Sequence, residues 1–358
     1  LVSELQDLGL AAKGTKGGAE VRVTPPQLWQ LHHDCRLAEH IRVQLRSFRA
    51  RQFDELVAGL RRLPWHAYLT AEHPLDVHVT CHRSKLWHSD AVAERTRAAI
   101  AHSTRGAPAV RGADRCPEAQ SVYVRITGDN VQPAIDASGK PLHLRGRRTL
   151  VGAAPLRETL AAALVVILKE ALAEPVARLW DPFCGSGGIL LEWAEANART
   201  TARESGFAFQ QWPIHDAAAY DEWLKNRCPA PIGNLQALGS DIDPNALCAA
   251  KANVAACSLD ACFSLHCGDF EAFSEQVPKG TPVIANPPYG VRLGDKRKYA
   301  ELMKRFESLL ARRKDLRPAV ILVPQTTRPW NPKLPWQSIA SLYNGGLPVQ
   351  ILRLVQTT

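Results

Sequence analysis

From about residue 155 to residue 354 the chain repeats one pattern: short apolar runs, each closed by polar punctuation. The runs are ARLWDPFCGSGG, LQALGSDID, FSLHCGDF, PVIANPPYG and AVILVP. Helical stretches separate or precede them: PLRETLAAALVVILKEAL with a proline at its start, ILLEWAEANA, NALCAAKANVAA and KYAELMKRFESLLARR. A strand can reach a parallel neighbour only through a long crossover, and a helix supplies it. The alternation therefore predicts an α/β fold with a parallel, doubly wound sheet. The chain closes with SIASLYNGGLPVQILRLVQ, two alternating runs around Asn344-Gly345-Gly346, which predicts an antiparallel hairpin at the sheet edge. Residues 198–233, with Trp212, Trp223 and several prolines, fit no strand–helix unit and read as an insertion.

Before about residue 149 the texture is that of small α+β modules. Residues 1–19 carry glycine and lysine without periodicity and are expected to form a poorly ordered lead-in. Leu28, Leu31, Leu37, Ile41 and Leu45 give residues 27–48 roughly helical spacing, and residues 53–63 repeat it. Residues 75–81 and 121–129 alternate as strands do, and residues 91–103 form an amphipathic helix. Charge is concentrated here. The chain has 44 Lys plus Arg against 35 Asp plus Glu, a formal net charge of +9, and residues 21–150 hold 20 basic and 12 acidic residues. An excess confined to one segment points to a polyanionic partner; a solvated basic surface is the plain alternative.

Nine cysteines form no CxxC unit, and the five-residue spacing of Cys257, Cys262 and Cys267 is not that of zinc ligands. Reduced thiols and no metal site are expected. No run of 18 or more apolar residues occurs, so no membrane-spanning helix is expected. The opening LVSELQDLGL lacks the basic start and apolar core of a secretory signal. The expected location is intracellular: the cytoplasm, or the mitochondrial matrix if an upstream targeting segment has been removed.

Four strand ends carry chemistry. Asp181-Pro182-Phe183-Cys184-Gly185-Ser186-Gly187 leads from a strand into a helix, and its glycines permit a tight turn and close approach of a ligand to the main chain. No lysine is present for a phosphate loop, and the spacing is not that of a dinucleotide fingerprint. An acidic residue before the glycines repels a pyrophosphate. It suits a ligand with a cationic head, such as the sulfonium and ammonium groups of S-adenosylmethionine. In GSDID, the Asp241 carboxylate can accept two ribose hydroxyls, Ile242 belongs to the same site, and Asp243 reads as a helix cap. In GDF, Asp269 can accept from an adenine amino group and Phe270 can pack on the adenine face.

The fourth strand end, Asn286-Pro287-Pro288-Tyr289-Gly290, is the most specific. Two prolines fix the backbone and remove donors, leaving carbonyls as acceptors. An exocyclic amine is a poor nucleophile because its lone pair is delocalised into the ring. The Asn286 side-chain oxygen and the Pro287 carbonyl can accept both N–H groups and localise that pair, while Tyr289 stacks on a flipped base. His82, His88 and His143 read as structural, since the amine's proton becomes acidic once the methyl has transferred.

With DPFCGSGG, GSDID, GDF and NPPYG in this order, residues 149–358 resemble the class I S-adenosylmethionine-dependent methyltransferases that act on amino groups. From about residue 20 onward the chain resembles the bacterial-type THUMP-containing large-subunit ribosomal RNA guanine-N2 methyltransferases. The matching pieces are CHRSKLWHSDAVAERT (81–96), IDASGKPLHLRGRRT (135–149), APLRETLAAAL (154–164), FAFQQWP (207–213) and LYNGGLPVQILRL (342–354). The resemblance implies a ferredoxin-like segment over residues 20–74 and a THUMP RNA-binding domain over 75–149. It implies a Rossmann-like methyltransferase domain over 150–358 that carries the insertion. It also implies Arg83, Lys85, Arg145, Arg147 and Arg148 as contacts to RNA phosphates, which position RNA without reading its sequence. The expected substrate is a guanosine N2 amine in large-subunit ribosomal RNA. Transfer RNA guanine-N2 and RNA adenine-N6 are alternatives, and a catalytically idle ribosome-assembly factor is an alternative of another class. The intact set Asp181, Asp241, Asp269 and Asn286 favours an active enzyme.

Overall fold

A computed structural model of the chain describes all residues except 73, 105–118, 146–149, 151–155, 199–205, 228–233, 290–295, 328–330 and 355–358. It divides into two compact units, Leu1–Gly9 with Arg145–Arg203 and Cys228–Thr358, and Leu10–Leu144 with Glu204–Arg227.

The first nineteen residues are not the loose lead-in that their composition predicts. They form the helix α1 (Val2–Asp7) and the antiparallel hairpin β1 (Ala12–Thr15) and β2 (Gly18–Val21). The physical reason is burial: Leu5 and Leu10 are in the interior, and Ser3 Oγ donates to the Glu170 carboxylate at 2.7 Å.

α1 belongs to the unit that holds Arg145–Arg203; the N-terminal unit, from Leu10, starts with the hairpin and continues with α2 (Pro25–Asp34), which Thr24 and Gln27 open as a capping box. The helical spacing of residues 27–48 misleads beyond Asp34. Cys35 leaves the helix with ψ of 124°, and β3 (Arg42–Gln44) and β4 (Phe48–Arg49) follow. Then come α3 (Phe53–Arg61), β5 (Leu75–His82), α4 (Ser89–Ser103), β6 (Gln120–Thr127) and β7 (Asn130–Asp136). The sheet runs β3-β7-β6-β5, with β4 also on β7, and only β5 and β6 are parallel. Segments 20–74 and 75–149 thus share one sheet rather than forming separate modules.

Part of the insertion also belongs to this unit. Phe207, Phe209, Trp212 and Tyr220, the last on the helix Ala217–Lys225 (α7), are buried in one core with Trp29, Trp65 and Ile135. Trp212 Nε1 donates to Gln120 at 2.9 Å. Residues 204–227 are therefore a covering of the N-terminal sheet, although they interrupt the later part of the chain.

The second unit holds α5 (Glu158–Ala171), β8 (Arg178–Asp181), α6 (Gly188–Ala198), β9 (Gln236–Asp241), α8 (Pro244–Ala256) and β10 (Phe263–Cys267). It continues with α9 (Phe270–Ser274), β11 (Val283–Ala285), α10 (Lys296–Arg312), β12 (Ala319–Pro324), β13 (Trp336–Asn344) and β14 (Leu347–Leu354). The strand order is β10-β9-β8-β11-β12-β14-β13. The first five strands are parallel, and β14 runs antiparallel to both its neighbours. Leu164, Leu190 and Trp193 fill one face of the sheet, and Met303, Phe306 and Phe273 fill the other. This is the doubly wound sheet with an edge hairpin that the alternation predicts. Gly345 and Gly346 close the hairpin with φ of +57° and +85°, values that favour glycine and suit a two-residue turn. Among the described residues no helix is long and apolar enough to cross a membrane.

Candidate active site

The strand order reverses between β8 and β11, and in such sheets the crevice beyond the carboxyl ends at that point receives ligands. Register places the candidate residues around it. Asp181, the last residue of β8, is level with Gly239 of β9, and Trp180 is level with Val283 of β11. Asp241 and Asn286 therefore rise beyond the end of β8 on its two neighbours. Two strand spacings separate those backbones by roughly 10 Å.

Asp181 is 1% exposed. Its Oδ1 accepts the Phe183 N–H at 3.0 Å, while Oδ2 has no hydrogen-bond partner among the described residues. Burial, together with the neighbouring charge of Asp241, pushes its carboxyl up to about 8. A buried carboxylate with one unmatched oxygen is a cation acceptor, which fits the ammonium group inferred from the sequence.

The turn after β8 is stitched to β9. Cys184 N–H donates to the Ser240 carbonyl at 3.0 Å, Ser240 Oγ donates to the Pro182 carbonyl at 3.3 Å, and Gly185 N–H donates to Asp241 Oδ2 at 2.8 Å. Gly185 and Gly187 have φ of +53° and +81°, which explains glycine at both positions. Gly239 lies where space is tight: a Cβ there would come 2.7 Å from the end of the Leu265 side chain and 2.9 Å from that of Leu190, so both would have to shift. Ser186 is buried and its carbonyl accepts from Asn253 at 3.1 Å. Burial first, then the two carboxylates, raise the Cys184 thiol well above its ordinary value, so it stays protonated and unreactive.

Asp241 Oδ1 accepts from Asp243 N–H at 2.9 Å, so each of its oxygens already takes one backbone donor. Each keeps a second lone pair for a hydroxyl. Asp243 caps α8 by accepting from Asn245 N–H at 2.9 Å, as its position predicts. Ile242 is 75% exposed between them, an apolar side chain left in solvent beside the crevice.

The third strand end departs from expectation. Both Asp269 oxygens accept from Arg305, at 2.8 and 2.7 Å, and Oδ1 also caps α9 through Glu271 N–H at 2.9 Å. Burial raises the Asp269 carboxyl, but Arg305 and that N–H outweigh it and hold the group below its usual range. Phe270 is 3% exposed, and its ring packs on Phe183 and Phe306 at 5.2 and 6.0 Å. The Asp269 side chain is paired with Arg305 yet 41% exposed, while the Phe270 ring lies in the core. A short helix begins there and its first residue turns inward.

At the fourth strand end, Asn286 Oδ1 is buried and has no hydrogen-bond partner among the described residues. It is an acceptor held ready at the end of β11. Pro287 is buried and Pro288 half-buried. Tyr289 is 9% exposed, packed in the apolar layer, and its hydroxyl accepts from Asn344 Nδ2 at 3.0 Å. The ring is enclosed in the apolar layer and anchored through its hydroxyl, where an open stacking surface was expected. Asn344 contacts the site region through this bond, a role that the NGG turn did not signal in the sequence.

Among the expected phosphate contacts, Arg83 and Lys85 are exposed just beyond β5. Arg145 is corrected: it is buried within the second unit, its Nε 2.6 Å from Glu192, so it is not a surface contact. Arg147 and Arg148 lie outside the described residues.

Residues 145–329 match the family model UPF0020, described as RMKL-like, methyltransferase domain. The chain is 32% identical over 329 residues to ribosomal RNA large subunit methyltransferase K/L of Methylococcus capsulatus, covering 87% of this chain and 43% of that protein. It thus spans less than half the length of that relative. It is 29% identical over 291 residues to "Putative RNA methyltransferase slr0064" of Synechocystis, covering 80% of this chain and 75% of that protein. The crystal structure of SMU.472 complexed with SAH superposes with a TM-score of 0.80 at 25% identity, covering 100% of this chain and 94% of that one. TrmN from Thermus thermophilus shares the fold, with a TM-score of 0.70 at 20% identity over 99% of this chain and 95% of its own.

Proposed function

We propose a function from one premise: the chain belongs to the UPF0020 family of RMKL-like methyltransferase domains. It transfers the methyl group of S-adenosylmethionine to the exocyclic N2 amine of a guanosine in large-subunit ribosomal RNA. The observation that carries this reading is Asn286 Oδ1 at the carboxyl end of β11, buried and without a hydrogen-bond partner among the described residues, followed by two prolines. The name of the Methylococcus relative supports ribosomal RNA, and the SAH complex of SMU.472 supports the cofactor.

S-adenosylmethionine supplies an electrophilic methyl group. Asp181 would pair with the ammonium, Asp241 would accept from the ribose hydroxyls, and Ile242 would face the adenine. The turn Pro182-Phe183-Cys184-Gly185-Ser186-Gly187 brings main chain up to the ligand. Asn286 Oδ1 and the Pro287 carbonyl accept the two N–H groups of the target amine, localising its lone pair toward the methyl carbon. Pro288 fixes the backbone, and Tyr289, tied to Asn344, braces the base. The methylated amine then loses a proton to solvent, so no dedicated base is needed.

RNA engagement belongs to the N-terminal unit, to which we assign ferredoxin-like and THUMP character on the segments quoted above. Its excess of positive charge and the exposed Arg83 and Lys85 support this. The test is incubation with RNA and S-adenosylmethionine carrying a labelled methyl group, followed by nucleoside mass spectrometry. Labelled N2-methylguanosine is expected. Label in N6-methyladenosine overturns the base, and no label in any nucleoside favours an idle assembly factor.

A further inference from the structure

We propose that the segment His82–His88 docks a single-stranded stretch of RNA, with the Trp87 indole as a base-stacking platform on the same segment as the phosphate contacts Arg83 and Lys85. This rests on the reading that RNA is the substrate. Nothing above assigns Trp87 a role, and it is 67% exposed.

The segment is built to hold that indole out. β5 ends at His82, and Arg83 turns the chain with φ of +48°. Asp129, on the turn between β6 and β7, accepts from Lys85 N–H at 2.9 Å, from Ser84 Oγ at 3.1 Å and from Arg51 Nε at 3.2 Å. Leu86 is buried in the core of the unit, so the next side chain must point outward. The His88 ring lies over one face of Trp87, with centroids 3.6 Å apart and planes at 31°. One face of the indole is backed and the other is open, so little side-chain freedom is lost when a base stacks there.

The surroundings select the partner. A protein-docking patch presents contiguous apolar surface. Along the segment His82–Asp90 the exposed residues besides Trp87 are His82, Arg83, Lys85, His88, Ser89 and Asp90, none of them apolar. A lone aromatic among cations matches a strand of unpaired bases, which offers π-faces and phosphates together. Bases within a duplex have their faces covered by neighbours, so the platform discriminates against paired RNA. The surplus of 20 basic over 12 acidic residues in 21–150 supplies the field that brings such a strand in.

The test uses the full chain and a fluorescent RNA oligonucleotide, single-stranded or annealed to its complement, with affinity read by anisotropy across a salt series. Trp87→Ala is expected to weaken single-strand binding by about 10- to 100-fold and to leave the slope of log K against log salt unchanged. Trp87→Phe should keep most of the affinity. Arg83→Ala should reduce the salt slope, because one fewer phosphate is neutralised. Unchanged affinity in Trp87→Ala overturns the proposal while the RNA reading stands, and so does an equal loss for duplex and single strand. A wild-type chain that binds neither form overturns the RNA reading itself. Both Trp87 variants should unfold at the wild-type temperature, since the side chain lies in solvent.

Discussion

Asp181 keeps its proton until about pH 8 because burial opposes its charge, and this makes cofactor binding a proton-linked event. The sign follows from the raised value. Between the ordinary carboxylate range and about 8 the folded chain binds a proton that the unfolded chain does not, so this group's contribution to stability falls as pH rises through that window. A ligand ammonium placed at Oδ2 favours the carboxylate and drives the proton off. At pH 6 an α-amino group, with a reference pKa of about 7.7–8.0, is already charged. Calorimetry at that pH in buffers of different ionisation enthalpy should therefore report proton release on binding S-adenosylmethionine. Asp181→Asn should abolish the release; a binding heat independent of buffer in the wild type would remove Asp181 from the ammonium site. At the other side of the crevice, Asn286→Ala deletes the acceptor and should lower single-turnover methyl transfer on the order of 10²–10³, comparable to losing one preorganised polar group elsewhere. Cofactor affinity should barely move. Asn286→Asp keeps an acceptor and should retain part of the rate, and wild-type transfer in Asn286→Ala would sink the mechanism.

Elements decide how those residues are held. The β13–β14 hairpin at the sheet edge ties Asn344 to the Tyr289 hydroxyl at 3.0 Å. A hydrogen bond of this kind contributes about 0.5–1.5 kcal/mol. Asn344→Ala and Tyr289→Phe should each slow transfer by a small factor, roughly 2- to 10-fold if the bond's whole contribution is felt in the transition state. The double variant should be no slower than the worse single one, because both remove the same bond. Fully additive losses in single-turnover rates would show that the two side chains act separately. The short helix α9 shows the opposite effect of an element on a site. By starting at Phe270 it turns that ring into the core and leaves Asp269 to cap the helix and pair with Arg305. The same Gly-Asp-Phe residues that suit an adenine contact also cap and pack this helix.

For the whole molecule, the consequence of residues 204–227 belonging to the N-terminal unit is that the chain cannot be cut once into its two units. A fragment covering 145–358 carries Phe207, Phe209, Trp212 and Tyr220 without the core that buries them. It should aggregate, as followed by light scattering. Replacing 204–227 in that fragment by a short polar linker should restore a soluble monomer that still binds S-adenosylmethionine and has lost most RNA affinity. If the uncorrected fragment is as soluble as the full chain, the packing of this segment does not matter for stability. RNA affinity of the full chain should fall steeply with salt, since each neutralised phosphate releases counterions, and a flat response would count against an electrostatic interface in residues 21–150.

The sequence by itself determined the doubly wound sheet, because strand and helix periodicities alternate at lengths that only a crossover topology satisfies. It also set the local backbone at two strand ends, because glycines after Asp181 and prolines after Asn286 restrict the chain within a few residues. Asp243 as a cap and Gly345-Gly346 as a hairpin turn were legible for the same reason. What the tertiary structure alone decided is non-local. That Asp181 Oδ2 and Asn286 Oδ1 are buried and unmatched, while Asp269 is taken by Arg305, depends on residues brought together from distant strands and helices. That Arg145 turns inward to Glu192 and Trp87 stays outside depends on which side of each element meets a core. Residues 204–227 could not be placed from periodicity because their aromatic side chains answer to a sheet formed much earlier in the chain. Local backbone restriction is written in neighbouring residues; burial and pairing across the chain are set only when the elements pack.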